Sequence, residues 1–136
     1  MGTNSEAVVE QFFKRWSVSF EELCASFRDT FAEDARWTAG PAPIPVTTGA
    51  DAAVGLLEAF RQSCGLVTIE VEFLHIGQTG NVVWTERIDH LHDAAGNRFI
   101  SLPVAGVMTL DGHDRITAWQ DYWDMREFNE LTSPAA

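Results

Sequence analysis

Apolar side chains recur at helical spacing in the first third of the chain, which predicts two helices there. The apolar stripe of the first helix is Val8, Val9, Phe12, Phe13 and Trp16. The second helix begins after Ser19, because a serine followed three residues later by Glu22 is the pattern of a capping box. Its buried stripe is expected at Leu23, Phe27 and Phe31.

The next part of the chain combines a strand, a loop and a helix. Residues 35–38 predict a short strand, and the three prolines within residues 40–45 exclude a helix or an inner strand, so this stretch is interpreted as an ordered loop. Asp51 begins a third helix that ends near Gly65. Its inner side is expected at Val54, Leu57, Ala59 and Phe60.

From Leu66 onwards the apolar positions alternate with period two, which is typical of strands. Turn sequences separate four such segments, at about residues 66–76, 82–92, 98–110 and 115–124, and predict an antiparallel meander. Pro103 and Gly106 predict a bulge or a sharp bend in the third segment. The whole chain, residues 1–136, is therefore predicted to be one α+β domain. In it a curved, cone-shaped antiparallel or mixed sheet carries about three helices on its concave face, around an apolar cavity.

Two of these strands place charged side chains on a face that is otherwise apolar. Side chains alternate faces along a strand, so Arg87 and Asp89 point the same way, and Asp121 shares a face with Trp119 and Trp123. Burying a carboxylate between indoles is costly unless it is paired, and Arg87 is the expected partner of both carboxylates. Two carboxyls bridged by one guanidinium can differ in protonation, which predicts an acid/base site. Structural Asp-Arg pairs also occur in sheets and are the alternative.

Composition narrows the class of function. The net charge of −11, from 20 acidic and 9 basic residues, argues against binding to nucleic acid or to an anionic membrane surface. No apolar run approaches the roughly 20 residues that span a bilayer, and the first residues lack the pattern of a secretory signal. We therefore expect a cytoplasmic protein.

Metal and cofactor chemistry find no support in the motifs. His90 and His92 are expected to form a solvent-facing pair opposite to Asp89, without a third ligand at metal spacing. Cys24 and Cys64 fall in separate helices and are interpreted as buried apolar residues. There is no glycine-rich phosphate loop and no serine nucleophile elbow. The sequence thus predicts acid/base chemistry without a cofactor or a metal.

Several short motifs together carry a resemblance to a known family. They are Phe-Ala-Glu-Asp at 31–34, His-Ile-Gly at 75–77, Thr-Glu-Arg-Ile-Asp at 85–89, Gly-Val at 106–107 and Ile-Thr-Ala-Trp-Gln-Asp-Tyr-Trp-Asp at 116–124, continued by Arg-Glu-Phe at 126–128. In these motifs, and in the spacing between the two charged ones, the chain from about Glu6 to Phe128 resembles the limonene-1,2-epoxide hydrolases. That family belongs to the cone-shaped nuclear-transport-factor-2-like and SnoaL-like superfamily.

The resemblance implies that an epoxide is opened in one step without a covalent enzyme intermediate. By resemblance, Asp121 is the general base that takes a proton from water, Asp89 is the general acid that protonates the epoxide oxygen, and Arg87 holds both carboxyls. The implied substrate is a small hydrophobic epoxide. The positions that match apolar pocket residues of the family are Leu102, Val104 and Trp123.

The chain departs from the family at the residues that hold the nucleophilic water. The family uses a Tyr and an Asn two residues apart on the first strand, and here these positions are Trp37 and Ala39. An indole donates one hydrogen bond and accepts none, and alanine offers no polar side chain. Trp37 would instead exclude water and offer a stacking surface to a ring-shaped substrate.

Two alternatives to hydrolysis therefore stay open. The same Asp-Arg-Asp site suits an epoxide-opening or polyketide-type cyclase or isomerase, which needs no anchored water. A non-catalytic module that binds a small ligand is the other alternative, because fold does not fix function. Hydrolysis is the first hypothesis because both charged motifs match.

The remaining aromatic residues and the chain end complete the predictions. Trp16, Trp84, Trp119, Phe12 and Phe27 are interpreted as core or subunit interface. Tyr122 and Asp124 should project from the face opposite to Asp121, where by analogy we expect a second subunit and hence a homodimer. The small, polar residues 129–136 are expected either to be disordered or to lie over the mouth of the cavity.

Overall fold

The computed structural model describes residues 4–132, in which helices and strands alternate before a continuous run of strands. Along the chain the elements are α1 (Ser5–Lys14), a 3-10 turn (Arg15–Ser17), α2 (Phe20–Thr30), β1 (Phe31–Thr38), β2 (Thr47–Thr48), α3 (Ala50–Cys64), β3 (Thr68–Thr79), β4 (Val82–His92), β5 (Arg98–Leu110), β6 (Ile116–Tyr122) and α4 (Met125–Thr132). The predicted α+β class is confirmed.

The six strands form one curved, unclosed sheet in the order β2-β1-β6-β5-β4-β3. All neighbours are antiparallel except β1 and β6, which run parallel. The meander predicted for β3 to β6 is confirmed. The strand predicted at residues 35–38, before the third helix, is confirmed as part of β1, and β1 and β2 extend the sheet beyond β6.

Several predicted boundaries shift for local reasons. The Ser19 hydroxyl accepts the Glu22 amide at 3.0 Å as the capping box requires, but the Glu22 carboxylate pairs with Arg15 at 2.8 Å. Phe31 is extended and begins β1, four residues earlier than predicted, although its side chain stays in the core. On α3, Ala53 is buried and Ala59 is exposed, contrary to prediction.

The bulge predicted at Pro103 and Gly106 does not occur. Pairing between β4 and β5 keeps its register from Val82 and Thr109 to Leu91 and Ile100. Strand β6 pairs with β5 no further than Ala105, so at Pro103 the strand has a paired neighbour on one side only and tolerates the missing N–H. Register shifts occur elsewhere in the sheet, among them one in β3 between Phe73 and His75 and one near the start of β5, where Leu91 pairs with Ile100 but His92 pairs with Arg98.

The core is dominated by aromatic rings between the helices and the inner face of the sheet. Seven rings pack with centroids 4.7 to 6.3 Å apart: Phe12, Phe13, Trp16, Phe27, Phe31, Trp37 and Trp119. Trp84, predicted as core or interface, is 45% exposed on the outer face and lies over Gly77, where a Cβ would overlap the indole. Its place in the core is therefore ruled out.

His90 is not the solvent-facing residue that the sequence predicts. It lies on the outer face as expected but is only 6% exposed. Its Nδ1 is 2.7 Å from Ser101 Oγ on β5, and its Nε2 is 2.9 Å from Glu72 Oε1 on β3. Side chains of the two flanking strands therefore cover the ring.

The last helix, α4, was not predicted from the sequence. The Asp124 carboxylate accepts the Arg126 amide at 2.9 Å at the start of α4, and the Phe128 ring packs 5.3 Å from that of Trp123. Residues 129–132, expected to be disordered or to lie over the mouth of the cavity, continue this helix, and residues 133–136 lie outside the described part. Among residues 4–132, no helix has the length and hydrophobicity needed to cross a membrane.

Candidate active site

Strand β5 separates the two strands that carry the charged residues, and a glycine in β5 allows them to meet. Thr85, Gly106 and Asp121 are register partners across β4, β5 and β6. A Cβ at Gly106 would overlap Asp121 Oδ1 and would lie 2.8 Å from Arg87 Nη1. The missing side chain is therefore the gap through which the guanidinium of Arg87 passes over β5 to reach Asp121.

Arg87 bridges the two aspartates, as the sequence predicts. To Asp89 it donates from Nε to Oδ1 at 2.9 Å and from Nη2 to Oδ2 at 3.3 Å. To Asp121 it donates from Nη1 to Oδ1 at 3.1 Å and from Nη2 to Oδ2 at 2.7 Å. Nη1 also donates a hydrogen bond to Thr85 Oγ1 at 3.1 Å. All five N–H groups of the guanidinium therefore donate hydrogen bonds.

The cluster is almost completely shielded from solvent. Arg87 is 1% exposed, and its guanidinium carbon lies 4.7 Å from the centre of the Phe13 ring. Burial alone would lower the pKa of Arg87, but the attraction of Asp121 and Asp89 raises it overall. The arginine is therefore a permanent cation that orients both carboxyls.

Asp121 has an unusual protonation equilibrium. Burial raises the pKa of its carboxyl from 3.8 to about 6, although Arg87 and the hydrogen bond from Trp119 act in the opposite direction. The Trp119 Nε1–H donates to Oδ1 at 2.8 Å. Oδ1 thus accepts two hydrogen bonds and Oδ2 accepts one, which leaves Oδ2 with capacity for a proton.

Both carboxyls open onto an apolar cavity of about 80 Å³ between the sheet and the helices. The residues predicted to contact a substrate all lie on its wall: Trp37, Leu102, Val104 and Trp123. Arg87 is not on the wall and lies behind the two aspartates. The structure thus brings every predicted site residue to one place, with the cation on the inside and the carboxyls facing the cavity.

Trp123 is a half-buried residue of the cavity wall that is held by contacts with other elements. Its Nε1–H donates to the Ala39 carbonyl oxygen at 2.7 Å, which ties β6 to the end of β1. A Cβ at Gly40 would overlap the indole, so glycine is required there. Phe128 of α4 packs against the same indole and also lines the cavity.

Some residues of this site were missed or misread from sequence. Thr85 accepts a hydrogen bond from Arg87, Gly106 leaves the gap, and Trp119 donates to Asp121, and all three roles depend on cross-strand register. Only the position of Trp119 on the same face as Asp121 follows from their spacing of two residues. Trp16, assigned to the core, also lines the cavity. No cluster of three His, Cys, Asp or Glu side chains that suits a metal ion occurs within residues 4–132.

Comparison with known proteins identifies the family of this chain. Residues 4–132 match the limonene-1,2-epoxide hydrolase catalytic domain. An epoxide hydrolase of this type from Mycobacterium tuberculosis is 25% identical, with a TM-score of 0.73 over 96% of this chain and 86% of the other.

More distant solved structures share the fold alone. A nuclear-transport-factor-2-like protein of unknown function from Burkholderia pseudomallei is 14% identical, with a TM-score of 0.78 over 97% of this chain and 99% of the other. A protein from Shewanella denitrificans, assigned as a SnoaL-like polyketide cyclase, is 15% identical, with a TM-score of 0.73 over 93% and 95%. The fold is therefore nuclear-transport-factor-2-like, and the match over residues 4–132 shows that the chain belongs to the limonene-1,2-epoxide hydrolase family.

Proposed function

We propose that the protein is a cofactor-independent epoxide hydrolase that opens a small hydrophobic epoxide to a vicinal diol. The observation that supports this most is the bridge made by Arg87, whose guanidinium holds Asp89 and Asp121 side by side on the wall of an apolar cavity. Such a pair can supply an acid and a base to one substrate at the same time.

Asp121 is the general base. A pKa of about 6 leaves this carboxyl mostly ionised at neutral pH and makes it a stronger base than an ordinary aspartate. Its Oδ2 has room for one more proton, as described above. Water between Oδ2 and the epoxide therefore gives its proton to Asp121 while its oxygen bonds to an epoxide carbon.

Asp89 is the general acid. Two carboxylates share one guanidinium, so the fully ionised cluster carries a net negative charge away from solvent, and a proton on one carboxyl removes it. By resemblance to the family, Asp89 is the carboxyl that passes a proton to the epoxide oxygen as the C–O bond breaks. The diol leaves with Asp121 protonated and Asp89 ionised, and one proton returned from Asp121 to Asp89 through solvent resets the site.

The cavity limits the size of the substrate. Its volume of about 80 Å³ is smaller than the roughly 150 Å³ of an engineered cavity that binds benzene. Trp37, Leu102, Val104 and Trp123 then contact the hydrocarbon part. A monocyclic epoxide fits only if wall residues such as the half-buried Trp123 and Phe128 move outward, so we expect small epoxides to react fastest.

The test is turnover of a series of epoxides, from propylene oxide through cyclohexene oxide to limonene oxide, in oxygen-18 water. We expect labelled diol from the wild type and a loss of at least about 100-fold in Asp121→Asn, because the base is removed. Asp124→Asn is the matched control, since Asp124 is exposed on the opposite side of the strand end and should keep full activity. Wild-type protein that makes no labelled diol from any substrate would refute hydrolysis.

Cyclisation or isomerisation is the second candidate, favoured by one observation. Trp37 and Ala39 stand where the family holds its water, and the Ala39 carbonyl is already bound by Trp123. An epoxide with an internal hydroxyl would then be attacked by that hydroxyl. A cyclic ether without oxygen-18, formed faster than any diol, would favour this candidate. Ligand binding with no turnover of either kind would favour a binding module.

A further inference from the structure

The five tryptophans differ in whether the indole N–H group has a hydrogen-bond acceptor. Trp119 donates to Asp121 at 2.8 Å and Trp123 donates to the Ala39 carbonyl at 2.7 Å. Trp84 is partly exposed on the outer face. In contrast, the Nε1 atoms of Trp16 and Trp37 are buried and have no hydrogen-bond partner within residues 4–132.

Both unpartnered indoles belong to the wall of the cavity that holds Asp89 and Asp121. They flank the same neighbour, because the Trp37 ring stacks on Trp119 at 4.8 Å and the Trp16 ring lies 5.9 Å from it. Trp119 in turn donates to Asp121. The two indoles with unpartnered donors therefore pack beside the tryptophan that contacts the proposed general base.

A buried donor without an acceptor is costly, and native proteins rarely keep one unless a ligand or water completes it. Here two occur at one cavity whose remaining wall is almost entirely apolar. An indole N–H can only donate, so the complementary group must be an acceptor. The two aspartates on the same wall and the net charge of −11 disfavour a negatively charged acceptor, so a neutral oxygen fits the two donors best.

We propose that Trp16 and Trp37 are specificity residues that bind a neutral acceptor oxygen of the substrate, separate from its epoxide oxygen. The substrate class is then an oxygenated epoxide, with a ketone, ester or ether oxygen, and not a pure hydrocarbon epoxide. The epoxide part of this statement rests on the function proposed above, whereas the binding of an acceptor oxygen does not.

The first experiment follows the indole signals in nitrogen-15 NMR spectra of the intact protein. Two unreactive probes of nearly equal shape are compared, cyclopentanone, which has an acceptor oxygen, and methylenecyclopentane, which has none. We expect the ketone to move the Trp16 or Trp37 N–H proton downfield as a hydrogen bond forms, while the hydrocarbon leaves it in place. Trp84 is the internal control. Equal effects of both probes, or none at Trp16 and Trp37, would overturn the proposal.

Binding affinities of variants then measure the same preference for the ketone over the hydrocarbon. The wild type should bind the ketone about tenfold more tightly than the hydrocarbon, the equivalent of one net hydrogen bond. Trp37→Phe and Trp16→Phe keep an aromatic ring but remove the donor, so the ratio should fall towards one, whereas Trp84→Phe should keep it. If a variant does not fold, the wild-type spectra still decide the question.

These outcomes are separable from the hydrolysis test. A ketone-specific shift in a protein that forms no diol would support acceptor binding and refute hydrolysis. Diol formation without any ketone preference would support hydrolysis and refute the role of the two indoles.

Discussion

Asp121 is the residue whose titration should appear directly in the activity. Its pKa of about 6 means that the base becomes protonated as the pH falls through that value. We expect kcat/KM to fall about tenfold per pH unit below this point, because a protonated carboxyl cannot accept the proton of water. Asp124→Asn should show the same profile. A profile that stays flat down to pH 4 would contradict the assignment of Asp121 as the base.

Arg87 should be the costliest single residue to replace. Arg87→Met leaves two buried carboxylates without their cation, and we expect a loss of about 3 to 5 kcal/mol in the free energy of unfolding at pH 7.5. Without the cation, the folded state holds the carboxyl protons more tightly than the unfolded chain does. Stability of the variant therefore falls as the pH rises, so the loss should be smaller at pH 5.

Urea unfolding at the two pH values measures this difference. Arg98→Met is the matched control, because Arg98 on β5 pairs with Glu70 on β3 at the exposed surface, and such pairs contribute only about 0 to 1 kcal/mol. An equally small effect of both substitutions would show that the buried bridge is not required for folding.

At the level of elements, strand β5 decides whether β4 and β6 can share one site. Gly106→Ala would improve strand propensity, but its Cβ would displace Asp121 and the Arg87 guanidinium. We expect loss of most activity together with a lower melting temperature. Gly55→Ala on α3 is the control, since its Cβ meets nothing within 4 Å and alanine favours a helix by about 0.5 to 1 kcal/mol.

The melting temperature from calorimetry and the rate of diol formation are measured for both glycine variants. Stabilisation in Gly55→Ala with unchanged turnover, beside loss of both in Gly106→Ala, is the expected pair of results. Full activity in Gly106→Ala would mean that the ion bridge tolerates a side chain in β5.

The helices and strands differ in how accurately they could be predicted from the sequence. Strands β4 and β6 were predicted closely because alternation marks their inner faces, and the carboxyls on those faces followed. The start of β1 was missed because the Phe31 side chain can pack in the same core whether its backbone is helical or extended. Helix α4 was missed because it depends on capping by Asp124 and on the contact of Phe128 with Trp123. His90 was misplaced because its covering residues, Glu72 and Ser101, belong to other strands.

At the scale of the whole molecule, the remaining prediction is a dimer interface on the outer face of the sheet. Trp84 and Val107 are register partners on this face, and both are exposed, as is Tyr122 on β6. We propose that this surface binds a second copy of the chain, as expected from the family analogy. Val107→Lys should then convert a dimer to a monomer in light scattering, because a charge would be buried.

Val18→Lys is the control for that experiment, since Val18 is exposed next to the helices and away from the sheet. A wild type that is monomeric at micromolar concentration, or a dimer that both variants leave intact, would contradict the proposed interface.

The sequence by itself determined the class of fold, the inward faces of the strands and the residues of the proposed acid/base group, because periodicity along a strand and the polarity of each side chain are local properties of the chain. Tertiary structure alone decided how they meet. The passage of Arg87 over Gly106, the donation of Trp119 to Asp121 and the unused donors of Trp16 and Trp37 depend on pairing across strands and on packing between distant elements. Such contacts are fixed by register and by the small volume of the cavity, which spacing along the chain does not contain.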